Sequence, residues 1–179
     1  MRGISQRALA KKAGVSFRCV QQLEEPDHNW RVESMQRIGA ALNLPKGGLD
    51  YFCDLFLSLT PDSVEDISLR ILGDGPDSWK IHLFDFVDRF RRERDPKLIE
   101  SPPVRGLDAR LKSIIASTVE SLCLECGLPA PSWCKGVPSL DHPWFVSGIE
   151  NLKAMSLVES PAAFRARNVF VLGNFLSRA

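Results

Sequence analysis

Histidine is scarce, with only His28, His82 and His142, and none falls in the HExxH spacing that sets two imidazoles on one helix face. No glycine-rich loop of the P-loop or GxGxxG kind is present to cradle a phosphate. Asp85 and Asp88 lie three apart beside Arg89 and Arg92, which reads as a salt-bridged helix surface rather than a pair of catalytic acids. No apolar run approaches the ~20 residues of a membrane span. Met1 to Ser5 lacks the apolar core of a signal peptide, so a cytoplasmic protein without a membrane partner is expected. The five cysteines are odd in number and scattered, which favours reduced thiols over a disulfide framework. Repeats and low-complexity segments are lacking. These absences point away from an enzyme, and no cofactor is expected.

Strong net charge is also lacking. The 23 Lys plus Arg oppose 22 Asp plus Glu, for a net charge of +1, which excludes a histone-like polycation. The layout is uneven. Met1 to Leu23 holds Arg2, Arg7, Lys11, Lys12 and Arg18 with no acid, and carries +5. Residues 24–66 hold nine acids against Arg31, Arg37 and Lys46, and carry −6. A basic segment on a neutral chain suits a polyanion bound through one face, or equally a solvated helix surface. With 179 residues, 44% of them hydrophobic and 25% charged, the chain can bury a sizeable core.

The first forty-odd residues predict short helices joined by sharp turns. Ser5 is an N-cap, and Gln6 to Ala13 presents Leu9, Ala10 and Ala13 at helical spacing. Gly14 suits a left-handed helix end, and Ser16 is a second N-cap. A second helix over Phe17 to Glu24 sets Val20 and Leu23 inward. A third, Ser34 to Leu42, carries Met35, Ile38, Ala41 and Leu42 on one stripe. Two short helices across a glycine-containing turn form a helix-turn-helix. The string Ser5-Gln6-Arg7-Ala8-Leu9-Ala10-Lys11-Lys12-Ala13-Gly14-Val15-Ser16, with Val20, Leu23 and Glu24, resembles the Cro/C1-type (XRE) helix-turn-helix family, the lambda-repressor-like fold. Ile38-Gly39-Ala40-Ala41-Leu42-Asn43-Leu44 looks like the next helix of that family. The likeness covers about a third of the chain. Such domains have a further helix before the one at Ser5. Only Met1 to Ile4 precede it here, so either the true start lies upstream or that helix is missing, and in the second case Leu9, Val20 and Ile38 are expected to be partly exposed.

The resemblance implies binding to double-stranded DNA and supplies roles. Gln6 matches a position that touches the DNA backbone, where a helix N-terminus also favours phosphate. Ser16, Phe17, Arg18 and Gln22 fall on the solvent-facing start and next turn of the recognition helix, since Val20 and Leu23 face inward. Gln21 points partly sideways. Arginine pairs with guanine, glutamine with adenine, and phenylalanine meets a thymine methyl. Arg7, Lys11, Lys12 and Arg31 are phosphate candidates, which set affinity and register but not sequence choice.

The remainder predicts an all-α or nearly all-α domain. Leu44 to Gly48 is a break. Leu49 to Leu59 is apolar on several faces, for a core or a dimer interface. Thr60-Pro61 restarts a helix to about Leu72, and Gly73-Asp74-Gly75-Pro76 is a turn. Trp79 to Arg94 is a helix with Leu83, Phe84, Val87 and Phe90 inward and Phe86 as a second flank. Its basic end suits a helix C-terminus, or else a second DNA contact. Lys97 to Gly106 is a loop, Leu107 to Cys126 a long helix, and Leu128 to Trp144 a proline-rich loop. Ser147-Gly148-Ile149-Glu150 is a capping-box pattern before a helix to Val158. Ser160-Pro161 opens a last helical stretch, and Val169 to Leu172 is a short strand or a buried turn. The resulting domains are 1–59 (helix-turn-helix), 60–75 (connecting helix and turn) and 76–179 (helical, for partner binding or dimerisation).

Cys123, Cys126, Cys134 and His142 have the composition of a zinc site, but Cys126 shares the core stripe of its helix with Leu122, so buried thiols are the expectation and no metal is assigned. Trp133, Trp144 and Phe145 flank the proline-rich loop and either pin it to the core or form a protein-binding surface, to which Arg165, Arg167 and Asn168 could contribute. Some C1-type repressors carry a self-cleaving Ser/Lys domain, but that domain is rich in strands and this C-terminal half is not. The expected function is a transcriptional regulator, a repressor acting as a homodimer on a two-fold operator. The alternative is an antitoxin, whose C-terminal domain binds a toxin while the N-terminal domain represses the operon.

Overall fold

The structure, a computed structural model, describes residues 4–22, 31–42 and 60–177. The fold is mainly helical, with one two-stranded sheet among the described residues. The chain divides at Leu59 and Thr60 into two compact units. Leu23 and Glu24, the Asn43-Leu44 pair and the apolar run Leu49 to Leu59 lie outside the described residues.

In the first unit, α1 spans Gln6–Ala13, α2 Phe17–Gln21 and α3 Val32–Ala41. The Ser5 hydroxyl accepts the Ala8 N–H at 3.3 Å and Ser16 accepts that of Cys19 at 3.1 Å, so both helices start on the serines whose chemistry requires it. Gly14 turns the chain at φ +65°, which lets the Val15 N–H return to the Ala10 carbonyl at 3.1 Å. Ala10, Ala13 and Ala41 are buried, and their small side chains let the helices approach closely. Val20 and Ile38 fill the joint, with Leu9 and Val15 packed beside the Ala13–Ile38–Ala41 cluster.

Three expectations are corrected here. Val20 and Ile38 are buried rather than partly exposed, and only Leu9 is half-buried. α2 spans Phe17–Gln21 with Gln22 as its C-cap, so Gln22, expected inside the helix, stands at its end. α3 starts at Val32, and Leu42, expected inward, is exposed beyond its end.

In the second unit, α4 spans Val64–Asp74, α5 Trp79–Glu93, α6 Ala109–Cys126, α7 Ser132–Lys135, α8 Lys153–Glu159 and α9 Ala162–Arg165. α4 starts at Val64 rather than at Thr60-Pro61, and Ser63 caps it. It accepts the Asp66 N–H while the Asp66 carboxylate accepts the Asp62 N–H at 2.6 Å, a reciprocal cap. Val64, Ile67 and Ile71 are fully buried, so residues 60–75 are part of the second core and not a connector. The helix continues through Gly73 and turns only at Gly75, where φ is +98°.

α5 buries Leu83, Phe86, Val87 and Phe90 on one stripe. Phe86 therefore belongs to the core, and Phe84 is the half-buried flank against Phe175. α6 starts on Asp108, whose carboxylate accepts the Arg110 and Leu111 N–H groups, and it is buried over most of its length. It ends at Gly127 at φ +67°. The expected capping box at Ser147 to Glu150 does not form, since Ser147 accepts the Ile149 N–H instead and α8 follows a 3-10 turn over Glu150–Leu152. The strand alternative for Val169 is realised. β1, Trp144–Phe145, pairs in parallel with β2, Val169–Phe170, with Trp144 opposite Val169 and Phe145 opposite Phe170.

Candidate nucleic-acid interface

Among the described residues of the first unit, the exposed side chains include a set of cations and amides. Its described residues hold Arg7, Lys11, Lys12, Arg18, Arg31 and Arg37 against one acid, Glu33. Glu33 pairs with Arg37 at 2.7 Å along α3, which removes Arg37 from the free positive charge. Arg7, Lys11 and Lys12 are all exposed on α1. Lys11 and Lys12 occupy its last turn, where cations oppose the partial negative charge of the helix end.

On α2 the inward position is Val20, 3% exposed. Burying it turns Phe17, Arg18 and Gln21 outward, and all three are exposed. Phe17 keeps 37% of its surface in solvent, unusual for a ring at the start of a short helix. It is not left unsupported, because the Arg7 guanidinium sits over the ring at 5.5 Å from its centroid. A phosphate candidate on one helix and a base-reading candidate on the next thus meet. Helical periodicity could not signal this, because the pair spans the turn.

The other sequence-predicted residues fall as follows. Gln6, at the first position of α1, is half-buried. The Ser16 hydroxyl serves its own helix as N-cap. Gln22, expected on the reading face, is half-buried at the helix end. Gln21, expected to point sideways, is exposed, so the two exchange places. Arg31 is exposed at the N-cap position of α3, without a side-chain capping bond.

The second unit offers no comparable cationic face at the basic end of α5. Arg89 bridges Asp62 at 2.8 Å and Glu93 at 2.9 Å, and Arg92 joins Glu93. Arg91 grips both oxygens of Glu125 and donates to the Leu176 carbonyl at 2.6 Å. These arginines tie α5 to the start of α4, to α6 and to the C-terminal segment. Burial first raises the Asp62 carboxyl, but the hydrogen bond and charge of Arg89, with Arg70, bring it below the usual value.

Cys123 and Cys134 are buried. Burial, with Glu120 nearby, pushes the Cys134 thiol up to about 12, and burial also raises Cys123. Among the described residues, no three His, Cys, Asp or Glu side chains converge to hold a metal ion.

Trp133 donates its Nε1–H to the Ile99 carbonyl at 2.9 Å, and Trp144 meets Trp79 edge-on at 5.8 Å, so both pin the proline-rich loop to the core. Arg167, read from sequence as a surface candidate, is 5% exposed. It holds both oxygens of Glu120 and donates to the Ala163 and Cys134 carbonyls, joining α6, α7 and α9. Asn168 likewise faces inward, to the Leu140 carbonyl at 3.0 Å.

No helix among the described residues is long and apolar enough to cross a membrane. The chain matches no family model, no curated protein and no solved structure.

Proposed function

We propose that the protein is a sequence-specific regulator of transcription that binds double-stranded DNA and represses by occluding a promoter. The observation that carries this reading is the exposed face of α2. Phe17, Arg18 and Gln21 stand outward on a helix with a serine cap, in the same unit as the exposed cations of α1. These are the side-chain types that read a thymine methyl, a guanine and an adenine in the major groove. Arg7, Lys11, Lys12 and Arg31 supply the phosphate contacts that give affinity and fix register.

A single short helix reads few base pairs, so two copies acting on a two-fold site are required for useful specificity. The test is binding-site selection from a pool of random duplexes, followed by fluorescence anisotropy of the selected and scrambled duplexes at two salt concentrations. Selection of a two-fold sequence, bound at least a thousandfold more tightly than the scrambled control, is the expected result. Failure to enrich any sequence, or equal salt-sensitive binding to both duplexes, would overturn the proposal.

A further inference from the structure

Phe17 occupies the first position of α2, where the helix itself does little to orient a side chain. Inside a helix the preceding turn excludes one of the three χ1 wells. At the first position that turn is absent, and the Ser16 hydroxyl, which accepts the Cys19 N–H at 3.1 Å, fixes only the backbone. The inward residue of α2 is Val20, and Phe17 keeps 37% of its surface in solvent. Arg7, from the first turn of α1, stands over the ring with Cζ 5.5 Å from its centroid. Among the described residues of the unit no carboxylate competes for that guanidinium, because the one acid, Glu33, is held by Arg37 at 2.7 Å.

A side chain that must be ordered on binding gives up rotamer freedom, and that cost falls away when the free protein already holds it. We infer that Arg7 is a positioning residue for Phe17: it holds the ring, before DNA arrives, in the orientation that meets the 5-methyl group of a thymine in the major groove. The inference rests on the DNA-binding reading. It adds a second task to a residue counted among the phosphate contacts, and makes one base contact depend on another helix. The two tasks are compatible, because attraction to the ring uses the charge of the cation while the guanidinium keeps five N–H donors. Without Arg7 the ring turns between wells and meets the methyl in only a fraction of its states, and apparent affinity falls by that fraction.

The test has one arm without DNA and one with it. In the free full-length protein, the three-bond Hα–Hβ couplings of Phe17 report its χ1. They should show one rotamer in the wild type and averaging in Arg7→Gln, which removes the charge. Arg7→Lys, whose ammonium can also sit over a ring, should return part of the order. In the second arm each thymine of the selected duplex is replaced in turn by uracil, which pairs alike and lacks only the methyl. The wild type should bind one such duplex about fourfold more weakly, the effect of one buried methyl. Phe17→Ala should bind that duplex and its parent alike. Arg7→Gln should lose most of the difference, and Arg7→Lys should regain part of it. A phosphate contact alone does not produce this pattern, since its loss weakens both duplexes equally.

Equal χ1 averaging in the wild type and Arg7→Gln would overturn the inference, and so would undiminished methyl discrimination by Arg7→Gln. In either case the DNA-binding reading stands. A wild type indifferent to every uracil exchange would overturn the methyl contact and the inference with it. Failure to select any duplex would overturn the DNA-binding reading and this inference together.

Discussion

The guanidinium of Arg7 lies over the ring of Phe17, 5.5 Å from its centroid, and joins the first helix to the second across the turn at Gly14. A cation held on an aromatic face at an exposed site contributes about 0.5–1 kcal/mol. Arg7→Ala and Phe17→Ala should therefore be coupled by that amount in a double-mutant cycle of urea denaturation followed on the first unit. Strictly additive effects would show that the contact contributes nothing.

The reading face should separate into two kinds of residue. Arg18→Ala and Gln21→Ala should each lose roughly 1–3 kcal/mol of discrimination between the selected duplex and one altered at the contacted base pair. Gln22→Ala should lose less than Gln21→Ala, because Gln22 is half-buried at the helix end. Lys11→Ala should weaken binding to all duplexes alike and lower the slope of log K against log salt by about one. Equal weakening on every duplex by all these substitutions would refute a base-reading role for α2.

Gly14 is the hinge on which that face depends. At φ +65° a Cβ is strained although no atom stands in its way, so the cost of Gly14→Ala is conformational rather than a clash. The substitution should destabilise the first unit by about 1 kcal/mol and weaken binding to specific and scrambled duplexes together. Calorimetry of the variant, read beside its anisotropy titration, measures both.

Acid should loosen the second unit through Asp62. Burial opposes its charge, but Arg89 and Arg70 prevail and hold the folded carboxyl below its ordinary value of 3.8. A depressed carboxyl contributes stability that is fully present above the unfolded value and is lost as pH falls through the folded one. The melting temperature should therefore fall below about pH 4, and Asp62→Asn should flatten that limb while lowering stability at neutral pH. An unchanged acid limb in the variant would remove Asp62 from the account.

Arg167 is the most consequential buried charge. Arg167→Met leaves the Glu120 carboxylate and the Cys134 and Ala163 carbonyls without their donor, and should cost about 3–5 kcal/mol. Adding Glu120→Leu should recover part of that loss, because the unpaired charge is then gone. Chemical denaturation of the single and double variants decides it, and a double variant no more stable than the single one would contradict the pairing.

Local signals in the sequence were legible wherever one residue dictates one backbone state. Ser5 and Ser16 as caps and Gly14 and Gly127 as helix ends stand where their chemistry places them. So does the long stripe of α6, because its burial follows from periodicity alone. Competition between neighbours was not legible. Phe84 and Phe86 are both aromatic at the edge of one stripe, and only the arrangement of α6 and the C-terminal segment decides that Phe86 is enclosed and Phe84 leans on Phe175.

The same limit applies to the candidate site. The residue types on α2 were readable from their spacing, but the order of Gln21 and Gln22 depends on one residue of helix length. Arg167 illustrates the other failure. A lone arginine near a chain end has no local mark of burial, and its partners lie 33 and 47 residues away.

The parallel pairing of Trp144–Phe145 with Val169–Phe170 has an entropic consequence. Parallel neighbours cannot be joined by a tight turn, and here the chain between them carries α8 and α9. Closing that span costs entropy before a two-residue ladder returns anything. The strand pair therefore carries a larger closure cost than a hairpin of the same length, and its ladder depends on the ordering of the residues between its strands.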